Sequence, residues 1–268
     1  MVFSRPSVIM ISGALLLSLA DYAHALPPFK NMWRSRYGST NSCMSCHRSG
    51  DWRLNPYGKE FLRLGRSHSA LETLELMDPD QDSFVTKKEI QSQSNPGDER
   101  SKPGQIGDWL MRPDPVLLAP HIPERYFSKG VDVTEIGATL SQAEKQSIEL
   151  RLNAKLRDED SYPTLFLIRE STAPEAAPIG RGTYVMFGEH TLSSYILFTD
   201  TEGVIRGLHP LSVHGDRRLS KQVFLSQFIG LKRGDLQRVA PPYGAEADTA
   251  LLLDAARRSL IMLEMVRR

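Results

Sequence analysis

The chain has 268 residues, of which 40% are hydrophobic and 24% charged, with a formal net charge of +1. That composition suits a folded globular chain and excludes wholesale disorder, and so even a charge balance leaves no electrostatic footprint for nucleic acid. The length admits one large or two small hydrophobic cores, and two are expected. Residues 1–25 have the plan of a cleavable export signal: Arg5, an apolar run over 8–20, then Ala23-His24-Ala25. The run is about a dozen residues long, whereas a bilayer-spanning helix takes roughly 20. The mature chain is therefore expected to start at Leu26, to lack a transmembrane segment and to reside in the periplasm.

Both cysteines lie in Cys43-Met44-Ser45-Cys46-His47. Two thiols at this spacing can add to the two vinyl groups of one haem, and the adjacent imidazole then faces the iron. In an exported chain this predicts one haem c bonded to Cys43 and Cys46, with His47 as an axial ligand. A disulfide within the turn, or a redox-active dithiol, is the other use of the same residues. Residues 29–65 read FKNMWRSRYGSTNSCMSCHRSGDWRLNPYGKEFLRLG. An aromatic-basic lead to Tyr37-Gly38 precedes the motif, and Leu54, Asn55, Tyr57, Gly58 and Phe61 follow it. This resembles a family of bacterial cytochromes with the same lead and the same following segment. The resemblance implies a small, mainly helical monohaem domain over 26–94. Pro56 can open a helix, and Tyr57, Phe61, Leu62 and Leu64 give that helix a mostly apolar stripe. The sixth iron ligand stays open. Met111 lies about as far along the chain from His47 as the distal methionine of small cytochromes c. His68 and Met32 are alternatives, and so is an open site. A methionine would raise the potential, a second histidine would lower it and an open site would admit ligands.

Residues 78–89 read DPDQDSFVTKKE. Asp78, Asp80 and Asp82 occupy positions 1, 3 and 5 of an EF-hand-like loop, the Phe84 carbonyl position 7, Thr86 position 9 and Glu89 the bidentate position 12. This predicts a structural Ca2+. Leu71, Leu74 and Met77 share a face of the incoming helix, and Ile90 belongs to the outgoing one. Position 6, ordinarily glycine, is Ser83, whose left-handed backbone costs about 1 kcal/mol.

Residues 95–120 are rich in proline, glycine and charge and read as a linker, in part folded over the haem. A second domain is expected over 121–268. Ser141 to Glu144 form a capping box, with a helix from 142 to about 156. Short β-rich runs follow at 164–168, 183–187, 194–199 and 204–208, then helices at 221–228 and 247–266. The fold class is therefore α+β, a helical domain followed by an antiparallel sheet with packed helices. Gly188-Glu189-His190, residues 200–204, 209–215 and 227–230 resemble the FMN-binding domain of the sodium-pumping NADH:quinone oxidoreductase. In that family a threonine in a Gly-Ala-Thr segment at the start of the final helix esterifies the FMN phosphate. The corresponding residues here are Gly244, Ala245 and Glu246, followed by Ala247, Asp248 and Thr249. Glu246 cannot form that ester and would repel the phosphate. FMN is thus expected to be non-covalent if it binds, with Arg181, Arg206, Arg217 or Arg218 as its anchors.

The resulting expectation is an electron-transfer protein that meets a redox partner protein in the periplasm or at the inner membrane. Its second domain would dock that partner or hold a flavin. The alternatives are an exported haem- or flavin-dependent reductase, and a haem-based redox or gas sensor.

Overall fold

The structure, a computed structural model, describes residues 27–38, 43–50, 53–112, 118–127, 130–173, 175–188 and 192–265. The expected export signal and His190 lie outside them. The first half is helical. Helix α1 (Pro27–Tyr37) precedes a single 3-10 turn at Cys43–Ser45. Helix α2 (Pro56–Arg63) opens on proline, and its N-cap Asn55 accepts the Gly58 amide. Helix α3 (His68–Leu74) is capped by Ser67, and α4 (Thr86–Gln91) leaves the acidic loop. Met32, Trp33, Tyr57, Phe61, Leu71 and Leu74 are buried together, with Cys46 packed against them. Trp33 stands edge-on to both Tyr37 and Tyr57, a favoured aromatic arrangement.

The second half is a five-stranded antiparallel meander in the order β1-β2-β3-β4-β5. Its strands are β1 (Val131–Gly137), β2 (Thr164–Glu170), β3 (Gly180–Phe187), β4 (Ser193–Asp200) and β5 (Ile205–Ser212). Between β1 and β2 lies α5 (Gln142–Leu152), which starts at the expected Ser141–Glu144 capping box. It stops earlier than expected because Asn153 turns left-handed at φ 54°. The helix expected over 221–228 is split into α6 (Gln222–Leu225) and a 3-10 turn at Ser226–Phe228. Helix α7 (Glu246–Met265) covers one sheet face through Leu252, Ala255, Ala256, Leu260 and Leu263. The opposite face carries Phe166, Ile168, Tyr184, Met186, Ile196 and Phe198 beneath Leu118, Tyr126 and Phe127. With both faces covered, β3 and β4 are buried almost throughout, which is why their sequences do not alternate.

The two halves touch. Asn31 of α1 donates to the Thr164 hydroxyl of β2 at 2.9 Å and to the carbonyls of Tyr162 and Pro163 at 3.4 Å. The His68 amide donates to Asp158 at 2.9 Å. Cys43 lies near enough to Tyr184 of β3 to add to the rise that burial imposes on its phenol pKa. The cysteine turn therefore sits where the helices meet the sheet.

Candidate functional site

The cysteine turn is built by local bonds and held by side chains from outside it. The amides of Cys46 and His47 both donate to the Cys43 carbonyl, at 3.2 and 3.0 Å. The Asn55 amide donates to the Cys46 carbonyl at 2.9 Å, and the Asn55 side chain donates to the carbonyls of Met44 and Ser45 at 3.2 and 2.9 Å. One asparagine thus caps α2 and ties the turn to it. A Cβ on Gly58 would collide with the Cys46 carbonyl, so glycine is what lets α2 approach so closely. Asn95, from the segment expected to be a linker, donates to the same Met44 carbonyl at 3.1 Å. Residues 95–97 are buried there, and a Cβ on Gly97 would strike the Asn55 side chain.

His47 is buried and lines a cavity of about 570 Å³ together with Met44, Asn55, Asp80, Asn95 and Trp109. That volume falls in the range of roughly 300–1,000 Å³ usual for cofactor sites. Arg48, Arg100 and Arg112 also reach its wall; Arg100 pairs with Asp98 at 2.8 Å and Arg112 with Asp108 at 2.9 Å. Burial pushes the Cys46 thiol up to about 12. A redox-active dithiol works through a lowered thiol pKa, so this environment opposes that use of the motif.

The three residues considered as sixth iron ligand are in different settings. Met111 is 87% exposed on the turn Trp109–Met111. His68 has both ring nitrogens engaged, with Tyr162 OH and Arg36 at 3.3 Å each. Met32 alone lies in the buried cluster against which Cys46 packs.

The acidic loop brings the carboxylates of Asp78, Asp80 and Asp82 within 4.8 Å of one another. Asp78 accepts the amides of Asp82 and Ser83 at 3.2 and 2.9 Å, and Asp82 accepts that of Phe84 at 2.8 Å. Ser83 takes the positive φ of 80° that position 6 of such a loop requires. Thr86 and Glu89 are fully buried. Burial first, then Asp82 and Asp78, pushes the Asp80 carboxyl up to about 7. Burial and then the three aspartates push Glu89 up to about 9. Crowded, desolvated carboxylates of this kind call for a compensating positive charge.

Buried side-chain polar atoms without a hydrogen-bond partner fall in a telling pattern among the described residues. Five belong to the acidic loop: both Asp80 oxygens, Asp82 Oδ2, Thr86 Oγ1 and Glu89 Oε2. Three more are Ser45 Oγ, in the cysteine turn itself, and Trp33 Nε1 and Tyr57 OH, in the aromatic cluster against which Cys46 packs. The remaining one, Arg258 Nε, is within 3.3 Å of the Asp160 carboxylate. Native interiors seldom leave such groups unsatisfied, and clustering of this kind marks places built to take another group. The oxygen-only set suits a hard cation such as Ca2+. The donors at the turn suit the polar edge of a haem.

The start of α7 is different. Glu246 accepts the Gly244 amide at 3.0 Å, Asp248 accepts the Asp216 amide at 2.9 Å, and Thr249 donates to the Ala245 carbonyl at 2.7 Å. Arg218 is forked onto Asp216 and also donates to the Tyr243 carbonyl. Carboxylates occupy the amides an anion would need, so the residues Gly244, Ala245, Glu246 and Thr249 do not fit a flavin phosphate. No family model, curated protein or solved structure matches the chain.

Proposed function

We propose that the chain is an exported electron carrier holding one haem c on Cys43 and Cys46, with His47 on the iron and Ca2+ bracing the loop at residues 78–89. The observation that carries this reading is that, among the described residues, all the unpartnered buried polar side-chain atoms but Arg258 Nε belong to the acidic loop, to Ser45 of the CxxCH turn, or to Trp33 and Tyr57 of the cluster that packs against Cys46. Trp33, Tyr57 and Ser45 supply donors beside the turn, Asn55 and Asn95 fix its carbonyls, and the aromatic cluster keeps water from one side of it. The haem supplies one-electron exchange between ferrous and ferric iron. Flavin is no part of the proposal, because the start of α7 closes on its own carboxylates. The sheet half acts instead as the surface on which a periplasmic or inner-membrane redox partner docks.

An exported reductase or a gas sensor needs an iron position open to small ligands, and this separates the readings. The carrier reading expects a low-spin ferric spectrum, and ferrous protein that does not take up carbon monoxide. A high-spin, carbon monoxide-binding haem would instead place the chain among the reductases or sensors.

A further inference from the structure

We infer that cation binding at residues 78–89 controls the seating of the haem-bearing turn, through a strut that runs from Glu89 to Met44. The inference rests on the haem and calcium reading above and adds a coupling between the two sites. Glu89 is fully buried, and its Oε2 and the Thr86 hydroxyl have no partner, so the loop is closed on its inner side by groups that await a ligand. The other oxygen of Glu89, and its carbonyl, accept the Ser94 hydroxyl at 3.4 Å, and the carbonyl also accepts the Ser94 amide at 3.0 Å.

The next residue is Asn95, and every polar atom it carries is engaged within the fold, its carbonyl accepting the Asp98 amide at 3.2 Å. Its amide donates to Ser101 Oγ at 2.8 Å, its Oδ1 accepts the Gly97 amide at 3.0 Å, and its Nδ2 donates to the Met44 carbonyl at 3.1 Å. A residue whose side chain is held at both ends of its amide and whose backbone is pinned beside it transmits displacement rather than absorbing it. Met44 lies between the two cysteines, and Asn55 grips the same carbonyl from α2. Asp80 of the loop and His47 of the turn also line one cavity. Without a cation the crowded carboxylates repel one another; a cation shared by them and Glu89 relieves that repulsion and fixes Glu89, and Ser94 and Asn95 pass the constraint to the turn. By linkage, the state of the turn alters cation affinity by the same factor.

The test uses the full export-matured, haem-loaded ferric protein, stripped with a chelator and titrated with calcium chloride. Three quantities are followed: calcium binding by calorimetry, the Soret band, and hydrogen exchange at the amides of Asn55 and Gly58. The coupling predicts that calcium slows that exchange about tenfold, within the range usual for linked sites, and shifts the Soret band. In Asn95→Ala, which keeps every loop ligand, calcium should bind within about threefold of the parent while the exchange response drops below about twofold. Should that variant fail to fold, Asn95→Asp, which keeps Oδ1 for the Gly97 amide but loses the Nδ2 donor to the Met44 carbonyl, carries the same expectation. Calcium and haem both bound with no response overturns the coupling alone. A full response in a folded strut variant overturns the strut. A protein without haem or without calcium binding overturns the underlying reading, and the coupling with it.

Discussion

Gly58 and Asn55 show how much of the site hangs on single residues. Asn55 serves two elements at once, accepting the Gly58 amide at 2.8 Å and donating to two carbonyls of the cysteine turn. Gly58 permits this because its α-carbon lies against the Cys46 carbonyl. A methyl group there must push the turn away from α2, and overpacking of this kind costs about 1–3 kcal/mol. Gly58→Ala should therefore lower the unfolding free energy by that amount, read as a fall in the denaturant midpoint at unchanged slope, and on the proposed reading reduce the yield of haem-bearing chain. A variant with parental stability and parental haem content would contradict the packing described. The spacing of Asn55, Tyr57 and Gly58 was visible in the sequence, but the reason for it was not. Nor could Asn95 be found there, since its partner Met44 is 51 positions away and an Asn-Pro-Gly run reads as a turn.

Elements whose signals are local were legible: the Ser141 capping box, Pro56 at the start of α2, and the loop that gives Ser83 its positive φ. Strand β1 was not anticipated, because Val131–Gly137 is mostly exposed along the sheet edge and shows only a faint apolar alternation. The extra residues of β5 were missed for a similar reason, for Pro210 and a run of half-buried positions obscure its end. On that strand His209 receives a hydrogen bond from, or gives one to, Tyr126 OH at 3.2 Å. Burial, then Arg125 and His121, hold its imidazole below the ordinary value, which is about 6.5. The unfolded chain therefore binds a proton that the folded chain resists. Its effect on stability is absent above the unfolded value and grows as pH falls through about 6.5 toward the lower folded value. The denaturant midpoint should drop over this window, and His209→Gln, which can keep a bond to Tyr126, should lessen the drop. An identical pH profile in parent and variant would rule out this assignment.

At the scale of the whole molecule, the α+β class and antiparallel sheet follow from the pattern of runs, whereas the meander order and the junction between halves do not. Asn31, Tyr162 and Thr164 meet across more than a hundred residues of chain, a contact that no local pattern encodes. Near that junction the Tyr184 phenol of the sheet is raised by burial, then by Glu135 and Cys43. On the proposed reading such a place would serve electron transfer, because a partner docked on the sheet half would lie near the cysteine turn. The proposed function stands or falls on whether a haem is bonded to Cys43 and Cys46. The most direct test is acid–acetone extraction of the export-matured chain, with haem and polypeptide quantified in the residue. One haem per chain should resist extraction in the parent, and Cys43→Ala with Cys46→Ala together should leave none attached. A parent chain that folds without retained haem, or a double variant that keeps it, would contradict the account.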